Sequence, residues 1–229
     1  MDKLMPYAIP EKELVVFFSP KSGGTSVRAF LFHLENGFPF SEYRIQGKLH
    51  AANALLRNNR FRIADHNQYK DFRRFAVVRD PVRRFLSGYG NRVVHYGELS
   101  AAHLGDRLSS SALPPDPDID TFVDKFTEYR ALSKSIDRHF SPQQKFIGGD
   151  PSYYEKVFRL EEISDFVHFI NTEYKGDAVM PRLQSGGPKI DFDVLSDRTQ
   201  AKILSLCQND VAFKIFPDYA TKYTGAPNA

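Results

Sequence analysis

The run Leu14-Val15-Val16-Phe17-Phe18 is the feature that most narrows what this chain can fold into. Five consecutive apolar residues leave no polar face, so the segment suits a strand buried on both sides. It stops at Ser19-Pro20, and Lys21-Ser22-Gly23-Gly24-Thr25-Ser26 follows. Val27, Phe30, Leu31 and Leu34 then recur at three- and four-residue spacing until Gly37, the pattern of an amphipathic helix with a glycine stop. A buried strand, a turn of small residues and a helix amino terminus thus come in direct succession. Unpaired backbone N–H groups and the helix dipole favour a negative group at such a terminus. Adjacent Gly23 and Gly24 let the backbone approach that group closely, Lys21 adds a full positive charge, and Ser22, Thr25 and Ser26 add hydroxyl donors. The unit reads as a site for a phosphate-like oxyanion.

A second strand-to-helix junction follows. Phe61-Arg62-Ile63-Ala64 and Phe75-Ala76-Val77-Val78 read as short strands, each followed by an acid, Asp65 or Asp80. Asp80-Pro81 places a carboxylate at an N-cap and proline at the first helical position, and Phe85, Leu86, Tyr89 and Val93 continue an apolar stripe. Arg73, Arg74, Arg79, Arg83, Arg84 and Arg92 stand against the single acid Asp80, a local balance of +5 that exceeds the +3 of the whole chain. Arg79 ends a strand, where ligands of open α/β sheets bind, and Ser87 lies two turns into the next helix; both suit a second phosphate.

Residues 97–120, with Ser109-Ser110-Ser111 and Pro114-Pro115-Asp116-Pro117, read as a surface connection or lid. Phe122, Val123, Phe126 and Ile136 suggest one amphipathic helix leading into His139-Phe140-Ser141-Pro142-Gln143. Val157 to Leu160 reads as a strand, and Ile163, Phe166, Val167 and Ile170 as a helix. After a polar loop at 182–188, a last helix from about Ser196 buries Ile203, Leu204 and Cys207. Strands alternating with helices predict an α/β layer with a parallel sheet, and 229 residues fit one domain, 1–229, around one core.

Composition removes several classes. A net charge of +3 and a pI near 8.8 are too small for a nucleic-acid protein, so any anion site rests on local clustering. Cys207 is the single cysteine, which excludes an intrachain disulfide, a Cys-ligated zinc and a CxxC centre. Met1 to Glu13 lacks a signal-peptide core and no stretch approaches the roughly 18 apolar residues of a membrane span, so the expected location is cytoplasmic.

In the nucleotide-hydrolase loop, G-x-x-x-x-G-K-[ST], the lysine follows the glycines; here it precedes them. An ATP-dependent small-molecule or sugar kinase would need Asp65 to support a magnesium ion, and stays open as a rival. A non-catalytic polyanion-binding module would use Arg73 to Arg92 alone. Two oxyanion sites at successive junctions imply instead a ligand with two separated phosphates. At these residues the chain resembles the PAPS-dependent sulfotransferase superfamily, in particular soluble, bacterial-like carbohydrate sulfotransferases. The family's 5′-phosphosulfate loop, a strand and then P-K-x-x-x-T-S, is matched by Pro20, Lys21, Thr25 and Ser26, and its 3′-phosphate motif, R-D-P then R-x-x-S-x-Y, by Arg79-Asp80-Pro81, Arg84, Ser87 and Tyr89. His139-x-x-Pro142-Gln143 and Arg159-Leu160-Glu161 are similar to further downstream signatures.

The resemblance implies a P-loop NTPase-like three-layer sandwich, a central parallel sheet flanked by helices. It implies transfer of a sulfuryl group from 3′-phosphoadenosine 5′-phosphosulfate (PAPS) to an acceptor hydroxyl, most readily of a carbohydrate, with adenosine 3′,5′-bisphosphate (PAP) as product and no metal. Lys21 is the expected catalytic ammonium, and Ser22 to Ser26, Arg79 and Ser87 the donor contacts. His66 is the favoured general base, because it follows the strand at 61–64 and related uronosyl-type enzymes place a histidine there; His95 and His139 are alternatives. His139, Gln143, Arg182 and Ser185 are candidate substrate contacts, and Phe140, Tyr153 and Tyr154 would suit stacking on sugar rings.

Overall fold

Strand β2 (Leu14–Phe18) has every residue buried, as its unbroken apolar sequence requires. It lies between β1 (Pro6–Ile9) and β5 (Arg73–Val78), and β6 (Lys156–Arg159) completes a four-stranded sheet of order β1-β2-β5-β6. The computed structural model describes residues 6–45, 48–50, 66–183 and 186–224, and the strand expected at 61–64 lies outside them. A separate hairpin pairs β3 (Tyr43–Ile45) with β4 (Lys48–His50).

The chain divides into two compact units, Met1–Arg79 with Gln143–Ser185, and Asp80–Pro142 with Gly186–Ala229. Each has its own cluster of buried apolar residues where the sequence suggested one core. The first unit holds the sheet. β2 pairs in parallel with β5, and β5 with β6, as alternation of strands and helices implies. β1 corrects the all-parallel expectation: it runs antiparallel to β2, joined by the single turn Pro10–Lys12, too short for a parallel crossover.

One face of this sheet is covered by α1 (Gly24–Asn36) through Val27, Phe30, Leu31 and Leu34, and by Phe166 and Ile170 of a later helix, Ile163–Glu173. α1 ends where Gly37, at φ 76°, donates its N–H to His33 O at 2.8 Å, a left-handed stop that glycine adopts without strain. On the other face the Phe17 ring meets those of Tyr69, Tyr153 and Tyr154 edge-on at 5.4 to 5.9 Å. The α/β class with a mostly parallel sheet flanked by helices is therefore the observed one.

The second unit is helical. α2 (Pro81–Gly88) is continued by a π-helical stretch, Tyr89–His95, so the expected apolar stripe runs on with a changed pitch. The single helix expected through 122–136 is instead three short ones, Ile119–Asp124, Phe126–Leu132 and Lys134–Phe140. Ser133 forces the second break: it is extended, at φ −131°, and its hydroxyl caps Ile136 N. Within 97–120, expected as a connection or lid, Leu99, Leu104 and Leu108 are buried, and Pro117 O and Pro114 O accept from Tyr89 and Tyr129 at 2.9 and 2.8 Å. Cys207 packs in the core as expected, where burial pushes its thiol up to about 12. Among the described residues no helix is long and apolar enough to cross a membrane.

Phe122 is fully buried, with the rings of Phe85, Tyr89, Phe126, Tyr129 and Phe140 centred 5.1 to 6.0 Å away. Phe122→Ala is expected to destabilise the second unit by about 3 to 5 kcal/mol. Urea denaturation checks this, and a loss below about 1 kcal/mol would show that the ring is not central to the core.

Candidate functional site

The turn between β2 and α1 is shaped by two left-handed residues, Lys21 at φ 69° and Gly23 at φ 71°. Glycine adopts that conformation freely; lysine does so at a cost of roughly 1 kcal/mol, a strain typical of residues held for function. A Cβ added at Gly23 would lie 2.5 Å from Leu160 Cδ1, and one at Gly24 2.8 Å from Phe18 Cδ2. A side chain at either position therefore requires the facing residue to shift, and at Gly23 the positive φ favours glycine as well. Gly23 O accepts from Val27 N at 3.0 Å and so opens α1. Lys21, Thr25 and both glycines are half-buried, whereas Ser22 and Ser26 are buried. Ser26 Oγ accepts from Leu183 N at 3.0 Å, which brings the segment of Arg182 beside the first turn of α1; Arg182 itself is exposed.

The carboxyl end of β5 lies next to that of β2 in the sheet, so Arg79 comes beside this turn. Its Nη1 donates to Lys21 O at 3.1 Å, and its Nε is 4.0 Å from Glu161 Oε1, just past the end of β6. The Arg79 side chain is thus brought onto the backbone of the Lys21 turn. What joins them is Gln143. Its carboxamide is fully buried and bonded to Arg79 N, Arg79 O, Ser19 Oγ and Ser22 Oγ at 2.8 to 3.2 Å. That placement corrects the acceptor-contact role expected for Gln143: no solvent reaches it.

The run of six arginines is a cluster in sequence only. Arg73 binds Glu155 and Glu173, and Arg74 donates to the carbonyls of Tyr69, Lys70, Phe72 and Tyr153, both at the amino end of β5. The Arg73 guanidinium holds the Glu155 carboxyl below the usual carboxylate range. In the second unit Arg84 is buried and donates to His139 O and Ser141 O at 3.2 and 2.7 Å, while Arg92 pairs with Glu98 at 3.0 Å. Arg83 is exposed. Of the set, Arg79 alone has a side-chain bond to the Lys21 turn among the described contacts.

Asp80 acts as the N-cap read from the sequence, its Oδ1 accepting from Val82 N and Arg83 N at 2.9 and 3.3 Å. Burial raises its carboxyl above the usual range against the opposing bond from Tyr223. Ser87 is half-buried on α2. His139 Nδ1 lies 2.8 Å from Ser135 O, an acceptor only, so Nδ1 carries the proton and Nε2 is left as a base. Phe140 and Tyr154 are core residues, which removes them as sugar platforms, while Tyr153 is half-buried, edge-on to Phe17 with the Arg74 guanidinium over its ring. His66 begins the turn His66–Tyr69, but its side chain lies outside the described atoms, as does Ser185. Sequence reasoning missed Ser19 as part of this site, and gave Leu160 only as one letter of a downstream signature, without its packing role. The buried serine leaves no periodic signal, and Leu160 is indistinguishable from a core leucine.

With this geometry in place, comparison with known proteins gives one finding of weight: the profile of the sulfotransferase family matches residues 8–200. That span includes the Lys21 turn, Arg79 and Gln143. No curated protein and no solved structure matches the chain.

The packing of Leu160 on Gly23 generates a stability test. Gly23→Ala is expected to cost at least about 1 to 2 kcal/mol from the left-handed backbone, with the clash in addition. Combining it with Leu160→Ala should cost less than the two separate losses together, since the shortened side chain no longer meets the new methyl. Thermal denaturation of the four proteins measures this coupling, and strictly additive losses would contradict the packing.

Proposed function

The chain belongs to the sulfotransferase family, making it a PAPS-dependent transferase, and we propose that it sulfates a hydroxyl of a carbohydrate acceptor with PAP as second product. The observation that carries the donor assignment is the direct bond from Arg79 Nη1 to Lys21 O, which holds two cationic residues at the carboxyl ends of adjacent parallel strands. Support for a saccharide is the resemblance of the paired motifs to carbohydrate sulfotransferases.

In this reading the turn from Ser22 to Ser26 receives the 5′-phosphosulfate, and Arg79 with Ser87 the 3′-phosphate. The acceptor oxygen attacks sulfur, the S–O bond to the 5′-phosphate breaks, and the electron pair stays on the phosphate oxygen. Negative charge grows on that oxygen as the bond lengthens, so the Lys21 ammonium and the N–H groups at the start of α1 stabilise the transition state more than the bound donor. The acceptor proton passes to His66. A second reading assigns the base to His139, favoured by the bond to Ser135 O that leaves Nε2 as the acceptor nitrogen. Arg182, Ser185 and His139 remain proposed acceptor contacts, and a cytoplasmic location is in keeping with a single, buried, unpaired Cys207.

Calorimetry with PAP in EDTA tests the donor: micromolar binding is expected, and binding that depends on magnesium would point to the kinase instead. Lys21→Ala should lower kcat on the order of 100-fold or more while donor affinity changes less. A kcat within a few-fold of wild type in steady-state assays would remove Lys21 from the chemistry. For the base, His66→Ala should bind PAP normally and transfer sulfate about 10²- to 10⁴-fold more slowly. The same loss in His139→Ala with His66→Ala active would move the role to His139.

A further inference from the structure

We infer that Gln143 is a positioning residue that sets the register between the Lys21 turn and Arg79, and so gives the enzyme its preference for a nucleotide carrying two phosphates. The inference rests on the donor reading above and adds a residue whose side chain touches neither phosphate.

The orientation of the carboxamide is fixed by its partners. Arg79 N–H can only donate and Arg79 O only accept, so Oε1 faces the first at 3.0 Å and Nε2 the second at 2.8 Å. The side chain thereby imitates a neighbouring strand for the one residue that follows the last β5–β6 pair, Val78↔Arg159. The second lone pair of Oε1 serves the turn. Ser22 Oγ and Ser19 Oγ lie 3.0 and 3.2 Å from it and 2.7 Å from each other, so one hydroxyl donates to the amide while the other donates to its neighbour. Each serine hydroxyl proton thus has an acceptor. Arg79 then closes the ring by donating to Lys21 O at 3.1 Å. The turn's hydroxyls, the Arg79 backbone and the Arg79 guanidinium thus share one hydrogen-bonded framework with the buried Gln143 at its centre.

No other side chain fills this place. Glutamate would set a carboxylate oxygen against Arg79 O, asparagine is one methylene short, and methionine has the length but neither donor nor acceptor strength. Loss of the amide leaves buried partners unsatisfied and lets Arg79 shift relative to Lys21. A ligand with one phosphate needs only one of the two groups, whereas a bisphosphate needs both in register.

The test is calorimetry on the full chain with PAP and with adenosine 5′-monophosphate. Gln143→Met should lower the preference for PAP over the monophosphate about tenfold, the loss associated with one buried hydrogen-bonding group. In an Arg79→Ala background the same change should lower it little further. A merely structural role would weaken both ligands equally and leave the preference unchanged. Preference within twofold of wild type in folded Gln143→Met, or a full effect in the Arg79→Ala background, overturns the inference. If Gln143→Met does not fold, Ser19→Ala with Ser22→Ala carries the test, because it detaches the turn and leaves Gln143 on Arg79; an unchanged preference there also overturns it. A wild type with no preference for PAP overturns the donor reading and this inference together, whereas a preferring wild type with an unaffected variant overturns this inference alone.

Discussion

Everything in the first unit depends on β2 being buried on both faces. Its even residues pack with α1 against Phe75, Val77 and Phe158, while Phe17 faces the tyrosine cluster opposite. A strand fixed by side chains above and below, and by ladders to β1 and β5, cannot slide or tilt. The turn at its carboxyl end therefore starts from a rigid point, and small residues suffice to shape it. Electrostatic stabilisation of a transferring group needs donors placed in advance, since dipoles that must reorganise during reaction lose most of their advantage. On the proposed donor site, rigidity of β2 and function of the turn are in this sense one property.

The turn carries a cost that the strand helps to meet. A left-handed lysine is kept although glycine would relieve the strain, which makes sense where the ammonium must leave the backbone in a direction that a right-handed residue would not give. Leu160, just past the end of β6, and Phe18, the last residue of β2, occupy the space that a Cβ at Gly23 and at Gly24 would enter, so a larger residue at either place has to displace one of them. The small residues of the turn are thus kept small by apolar packing behind them.

Much of this was legible in the chain. The β2 pentad, the turn, α1 with its Gly37 stop, Asp80 as a cap and Ser196 as the start of a helix all follow from local chemistry, and the structure has them where the residues indicate. β1 was not legible, because Pro6 to Ile9 is short and its pairing with β2 is decided by the tight Pro10–Lys12 turn. Nor was the fate of the arginines. Charge counted along a sequence assumes neighbours in the chain are neighbours in space, yet a six-residue strand carries its ends some 20 Å apart. Arg73 and Arg74 are consumed by partners at one end while Arg79 alone reaches the turn at the other. Arg84 shows the same lesson inside a helix, where burial demanded carbonyl partners and found them at residues 139 and 141.

Gln143 was legible as a residue of interest and illegible as to role, and the reason is electrostatic. An anion site needs net positive potential at its surface, so the group that organises it from beneath has to be nearly neutral. A buried carboxylate would accept from the same hydroxyls and amide but would cancel the field of Lys21 and Arg79 at close range. A buried cation would offer donors where Arg79 N–H and the serine hydroxyls need an acceptor, and would itself require an anion. A primary amide does both jobs without charge, accepting with one atom and donating with the other. Its neutrality also means that the Gln143 amide itself does not titrate near neutral pH. On the proposed reading, the pH dependence of sulfuryl transfer therefore follows the proton-accepting residue and not Gln143.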